Sequence, residues 1–257
     1  MLLKNKHAVI YGAGGSLGAA VAMAFAREGA TVFLTGKNRA SLEPVCRNIL
    51  AAGGRAEVAV VDALHKETIE DHLSILVEKT GGIDISFNAV GWESVQDIHL
   101  TEMWLEDFLR PIQKALHTQF LTATAAARHM QRQGHGVILS LTATPAGKAY
   151  PLVGGFGPAC SAIEGFTRNL AAELGPHGVR VVCMRSAGSP DSAVFARALE
   201  EGGEAAESAI RRLADDTMLR RLPLVCDIAD AAVFLASGRA AALTGTTVNL
   251  TCGTTMD

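Results

Sequence analysis

Eight residues, Tyr11-Gly-Ala-Gly-Gly-Ser-Leu-Gly18, constrain this chain more than any other stretch. Before them, His7-Ala-Val-Ile10 is an apolar run of strand length. After them, Ala19-Ala-Val-Ala-Met-Ala-Phe-Ala-Arg27 is rich in helix formers. A strand that turns through glycines into a helix is the context in which a dinucleotide fingerprint is credible. Gly12 permits the tight turn, Gly14 and Gly15 keep the backbone bare for a diphosphate, and Gly18 lets helix and strand pack closely. The helix start around Ser16 and Leu17 then offers free N–H groups and the positive end of the helix dipole. An ordinary strand-to-helix turn would share the glycines, so the remaining chain has to supply the context.

It does so by alternation. Strand-like runs fall at 7–11, 31–35, 56–61, 83–88, 136–141, 180–184 and 247–250, most of them Val/Ile/Leu-rich with little polar alternation. Helical stretches lie between them at 17–28, 39–52, 66–79, 101–132, 156–174 and 227–236. Such a chain predicts an α/β fold, a doubly wound seven-stranded parallel sheet with helices on both faces. No internal repeat and no linker interrupts it, so 257 residues read as a single domain. The stretch 189–220 is more polar and follows the sixth strand on the ligand-facing edge. It reads either as a substrate lid or as a solvated helical insertion.

Composition narrows the function classes. Hydrophobic content of 49% with 19% charged residues is that of a globular, core-rich chain. A net charge of −3 without a basic block argues against nucleic-acid partners. No run reaches the roughly 18 apolar residues of a membrane span, and the first residues do not form a signal peptide. The five scattered cysteines show no ligand spacing. They predict reduced thiols, no metal and a cytoplasmic location.

The strand ends carry the next signals. The second strand closes on Thr35-Gly36-Lys37-Asn38, where an acidic residue would bond a ribose 2′-hydroxyl. None is present, and Lys37 suits a 2′-phosphate, so the pattern favours NADP(H) over NAD(H). Asp62 and Ala63 end the third strand, where an adenine would lie, with Asp62 able to accept from its amine. Asn88-Ala89-Val-Gly91 ends the fourth; its small residues let the chain pass beside a cofactor, and Asn88 can tie neighbouring strands.

In this order and spacing the motifs resemble the short-chain dehydrogenase/reductases over almost the whole chain. The glycine motif, Asp62-Ala63, Asn88-Ala-Val-Gly91, the helix Glu164-Gly-Phe-Thr-Arg-Asn-Leu-Ala-Ala-Glu-Leu174, Gly178-Val-Arg-Val-Val182 and Leu243-Thr-Gly245 through Gly253 all take part. The resemblance implies a Rossmann-type domain and hydride transfer between a nicotinamide and a small carbonyl or alcohol. It also implies a homodimer or homotetramer built on the helices at 101–132 and 156–174.

The resemblance fails at the chemistry. The family uses a Tyr acid/base, a Lys four residues later, a Ser on the fifth strand and an Asn on the long helix before it. Here Phe156, Cys160 and Ala115 stand in the Tyr, Lys and Asn places, and Thr142 falls at or beside the Ser place. A phenyl ring has no proton to give, a thiol is not a fixed cation, and alanine cannot orient water. Only Thr142 keeps a hydroxyl, either to bond a substrate oxygen or to cap backbone groups. A faint likeness to enoyl-acyl-carrier reductases, through Ser16 and Ser186-Ala-Gly188, moves the Tyr place to Val153 and restores nothing. Trp92, Tyr150 and Arg185 are the other polar or aromatic groups expected nearby. Trp92 reads as a pocket wall, Tyr150 as a loop tyrosine or displaced acid, and Arg185 as an anion ligand or surface ion pair. Two functions remain: an oxidoreductase with a non-standard proton source, which is favoured, or a nonredox protein on the same fold. The second would be a pseudoenzyme, an assembly subunit, or a lyase or isomerase using the same pocket.

Overall fold

Tyr11 and Ile10 point to opposite sides of one strand, and both are buried. That two-sided burial runs through the centre of the sheet and sets the architecture. The computed structural model describes residues 1–256 of the chain. Its seven strands are β1 (His7–Tyr11), β2 (Thr31–Gly36), β3 (Arg55–Val60), β4 (Ile85–Asn88), β5 (Gly136–Ala143), β6 (Val179–Ser186) and β7 (Thr246–Leu250). They form a single parallel sheet in the order β3-β2-β1-β4-β5-β6-β7. The predicted fold class holds.

Two helical layers cover the sheet. The helices α1 (Ser16–Arg27), α2 (Arg39–Ala51) and α7 (Val225–Ala236) pack Val21, Phe25, Leu42, Ile49 and Val233 onto Ala8, Ile10, Val32 and Leu34. On the other face α3 (Lys66–Thr80), α4 (Leu105–Gln133) and α5 (Phe156–Leu174) pack Ile69, Leu73, Met130 and Leu174 onto Val9, Tyr11, Phe33 and Ile138. Among the described residues no helix is long and apolar enough to cross a membrane.

Several expected bounds shift: β4 begins at Ile85, not 83, and β6 runs on past 184 to Ser186. The long helix begins at Leu105, not 101. Glu106 and Asp107 then fill its first turn, where the dipole favours acids, and Trp104 accepts from the N–H groups of Asp107 and Phe108. The fifth strand continues past 141 to Ala143, because Leu141, Thr142 and Ala143 pair with Met184, Arg185 and Ser186. The polar stretch after β6 contains α6 (Ala193–Asp215), none of whose residues is buried. It bends at Gly203, whose φ of 51° and ψ of −134° are not helical.

Candidate functional site

The reversal of strand order between β1 and β4 opens a crevice at the carboxyl edge of the sheet. A cavity of about 300 Å³ lies there, bordered by Gly12, Gly14, Gly15, Lys37, Asp62, Ala63, Ala89, Gly91 and Lys114. The glycine turn builds its floor. Gly12 has φ +75°, and a Cβ on it would meet the Ala89 carbonyl oxygen at 2.6 Å. A Cβ on Gly18 would sit 2.3 Å from the Gly12 carbonyl oxygen, so helix and turn touch there. Gly14 departs from the expected role, because a Cβ would strike the Ser41 hydroxyl on α2 at 2.4 Å. Its bareness serves packing of α2 as well as any ligand.

Gly15 and Gly91 differ. The nearest atom to a Cβ on Gly15 is 3.5 Å away, and nothing lies within 4 Å of one on Gly91. Both border the cavity, so the protein leaves room above bare backbone where a diphosphate would rest. The first turn of α1 has no acidic residue and no side-chain cap, which leaves its N–H groups to an anion. These features fit a dinucleotide. The Ser16 hydroxyl accepts a 2.9 Å hydrogen bond from the Ala193 N–H, tying this turn to the start of α6.

The other expected residues are placed as follows. Lys37 is exposed at the end of β2, beside Asn38, whose side chain accepts from Ala40 N–H and caps α2. Asp62 accepts from the Leu64 N–H at 3.0 Å and lies 3.8 Å from His65. It therefore closes its own turn while bordering the cavity. Asn88 does not tie neighbouring strands. Its amide donates to Thr122 on α4 at 2.9 Å, and its oxygen accepts from Val90 N–H, which shapes the Ala89–Gly91 passage.

Beyond Gly91 the surroundings turn apolar. The rings of Trp92 and Phe156 lie 5.8 Å apart, and Trp92 packs on buried Ala115, Ala159, Ile163 and Cys183. The indole N–H of Trp92 is buried without a hydrogen-bond partner. Cys160 is fully buried, and desolvation lifts its thiol to about 11, so it stays neutral and unreactive near neutrality. Cys183 beside it is lifted to about 12 by the same cause.

Thr142 is buried and its hydroxyl donates to Glu164 at 3.0 Å. Glu164 in turn receives Arg185 through Nε at 2.8 Å and a terminal nitrogen at 2.7 Å. Arg185 is thus no surface ion pair. It is 5% exposed and joins β6 to α5, with β5 attached through Thr142. Tyr150 is half-buried with the Lys148 ammonium 5.6 Å from its ring centre.

Inspection of the strand ends alone misses Lys114. It comes from α4, immediately before Ala115, and borders the cavity. The visible signal was a lysine adjoining the Asn place.

A parallel sheet with a glycine turn beneath an anion-ready crevice defines a Rossmann-type α/β protein. Residues 12–255 match the family model described as enoyl-(acyl carrier protein) reductase. The short-chain reductase protein NovJ of Streptomyces niveus is 32% identical over 247 residues, 96% of this chain and 92% of that one. Among solved structures, an NAD+-bound xylitol dehydrogenase superposes with a TM-score of 0.91 at 23% identity, covering 98% of this chain and 100% of its own. A gluconate 5-dehydrogenase of Burkholderia cenocepacia J2315, in complex with NADP and tartrate, gives 0.87 at 23% identity over 98% and 96%. The chain belongs to the short-chain dehydrogenase/reductase family of oxidoreductases.

Proposed function

We propose that this chain is an NADP(H)-dependent oxidoreductase. It would move a hydride to or from a small carbonyl, alcohol or enoyl-type substrate without the usual Tyr–Lys pair. The observation that carries this reading is the crevice itself, with bare Gly15 and Gly91 on its surface and Lys37 at its rim. Fold neighbours were captured with NAD+ in one case and NADP in another, so the fold does not choose. Lys37, in a strand end without a carboxylate, supports the phosphorylated form.

In this reading Gly12, Gly15, Ser16, Leu17 and Gly18 hold the diphosphate. Lys37 faces the 2′-phosphate, Asp62 and Ala63 border the adenine, and Asn88, Ala89 and Gly91 shape the passage toward the nicotinamide. When bound, the nicotinamide supplies or takes the hydride. Phe156, Cys160 and Ala115 stand in the Tyr, Lys and Asn places, and none of them moves a proton. The Thr142 hydroxyl is already given to Glu164. The proton therefore comes from water or the substrate. Positioned acid–base help worth about 10²- to 10⁴-fold is forgone. The same reading assembles a homodimer or homotetramer through α4 and α5, where Phe120 is 55% exposed beside Phe166.

The test is the double variant Phe156→Tyr with Cys160→Lys, assayed with ketones, quinones and enoyl thioesters. It is expected to create or raise carbonyl reductase activity. A folded, cofactor-binding double variant that gains nothing would overturn the placement of those residues. Tight dinucleotide binding by the native chain, with no turnover of any panel member, would favour a nonredox role.

A further inference from the structure

We infer that Lys114, on α4, is a cofactor-contacting cation. Its ammonium neutralises the diphosphate segment of the nucleotide from the wall opposite the glycine turn. It thus supplies the fixed positive charge that the buried Cys160 thiol does not. This inference rests on the dinucleotide reading above.

Three observations converge. Lys114 borders the same cavity as Gly12, Gly15, Ala89 and Gly91. It is half-buried, yet among the described residues it makes no hydrogen bond or ion pair. An ammonium at the cavity wall with no acidic partner leaves its positive field to an anionic ligand. Its own helix offers none: the residues three and four positions away are Pro111, Arg110, His117 and Thr118. Arg110 is itself paired with Asp107. The acid bordering the cavity, Asp62, is engaged with the Leu64 N–H and lies near His65.

Sheet order separates Lys114 from Lys37. Lys37 follows β2, whereas α4, which carries Lys114, is tied to the end of β4 through Asn88 and Thr122, and β1 with its glycine turn lies between those two strands. A dinucleotide laid across that edge meets Lys37 at its adenosine ribose and Lys114 further along, at the diphosphate and the adjoining ribose. The two lysines therefore do different work. Lys37 distinguishes the phosphorylated dinucleotide, and Lys114 contributes alike to both forms.

Titrations of NADPH and NADH, followed by tryptophan fluorescence across a range of NaCl concentrations, separate these roles. Lys114→Met is expected to weaken both dinucleotides by about tenfold, with a shallower salt dependence. Lys114→Arg should restore most of the affinity. Lys37→Met should weaken NADPH alone. Thermal melting of the free protein should not move, because Lys114 bonds nothing within it. Equal affinities for native protein and Lys114→Met would overturn the inference while leaving the cofactor reading intact, as would a loss confined to NADPH. A native protein that binds neither dinucleotide would end both.

Discussion

Cys160, Cys183 and Cys226 carry one functional group in different surroundings. Cys226 is exposed, whereas burial holds Cys160 at about 11 and Cys183 at about 12. Iodoacetamide at about pH 8 should therefore modify Cys226 in the native protein and spare the other two until urea unfolds it. The linked stability effect has a definite sign. An unfolded chain releases these thiol protons near the ordinary value of about 8.5, before the folded chain does. It then binds fewer protons, so stability falls as pH rises from about 9 toward 11. Urea midpoints at the two ends of that range test this, and Cys160→Ala with Cys183→Ala should flatten the decline. Reading residues one at a time had limits elsewhere. The sequence suggested a hydroxyl at Thr142, but not that Glu164, 22 positions on, accepts its proton and pairs with Arg185 a further 21 away. Such buried networks are assembled by packing, and spacing along the chain does not announce them. Lys114 escapes a reading of strand ends for a related reason: only the fold brings α4 to the border of the cavity.

The turn between β1 and α1 separates steric from ligand-related demands on glycine. Gly18→Ala forces a Cβ to within 2.3 Å of the Gly12 carbonyl oxygen. It should lower stability by about 2 kcal/mol. At Gly15 the nearest atom is 3.5 Å away. Gly15→Ala should therefore leave stability within about 0.5 kcal/mol, yet reduce dinucleotide affinity because the methyl enters the anion's space. Denaturant titration beside fluorescence titration separates the two effects, and equal stability losses would contradict the distinction. The elements themselves were largely legible. β1 and α5 match expectation in both bounds, since an apolar run ending in glycines and a helix of small residues each announce their ends. The start of α4 was not, because Thr101-Glu-Met103 has helical composition and only the Trp104 cap fixes where the helix begins. Helix α6 was read only as a polar stretch, since it buries no residue against the sheet that periodicity could report.

Because every strand of the sheet runs the same way, all the strand-end motifs reach one rim, and α6 lies beyond it. That helix has no buried residue and breaks at Gly203 within Glu200-Glu-Gly-Gly-Glu204. Brief digestion with a glutamate-specific protease should cut there first, ahead of the segment between β4 and α4. Mass spectrometry of the first fragments checks this, and initial cleavage elsewhere would mean that α6 is held more firmly than its exposure implies. The chain's last described residues also return to the rim. Asn249 on β7 donates to Thr255, and Thr251 caps the Thr254 and Thr255 N–H groups, beside the Arg185 that faces Gly147. The first residues lie on the far side, where Leu2 and Leu3 donate to Glu28 at the end of α1. A purification tag placed beyond the last described residues would therefore leave from the rim that carries the strand-end motifs. One fused ahead of Met1 would leave from the opposite edge, which makes it the sound choice for affinity measurements.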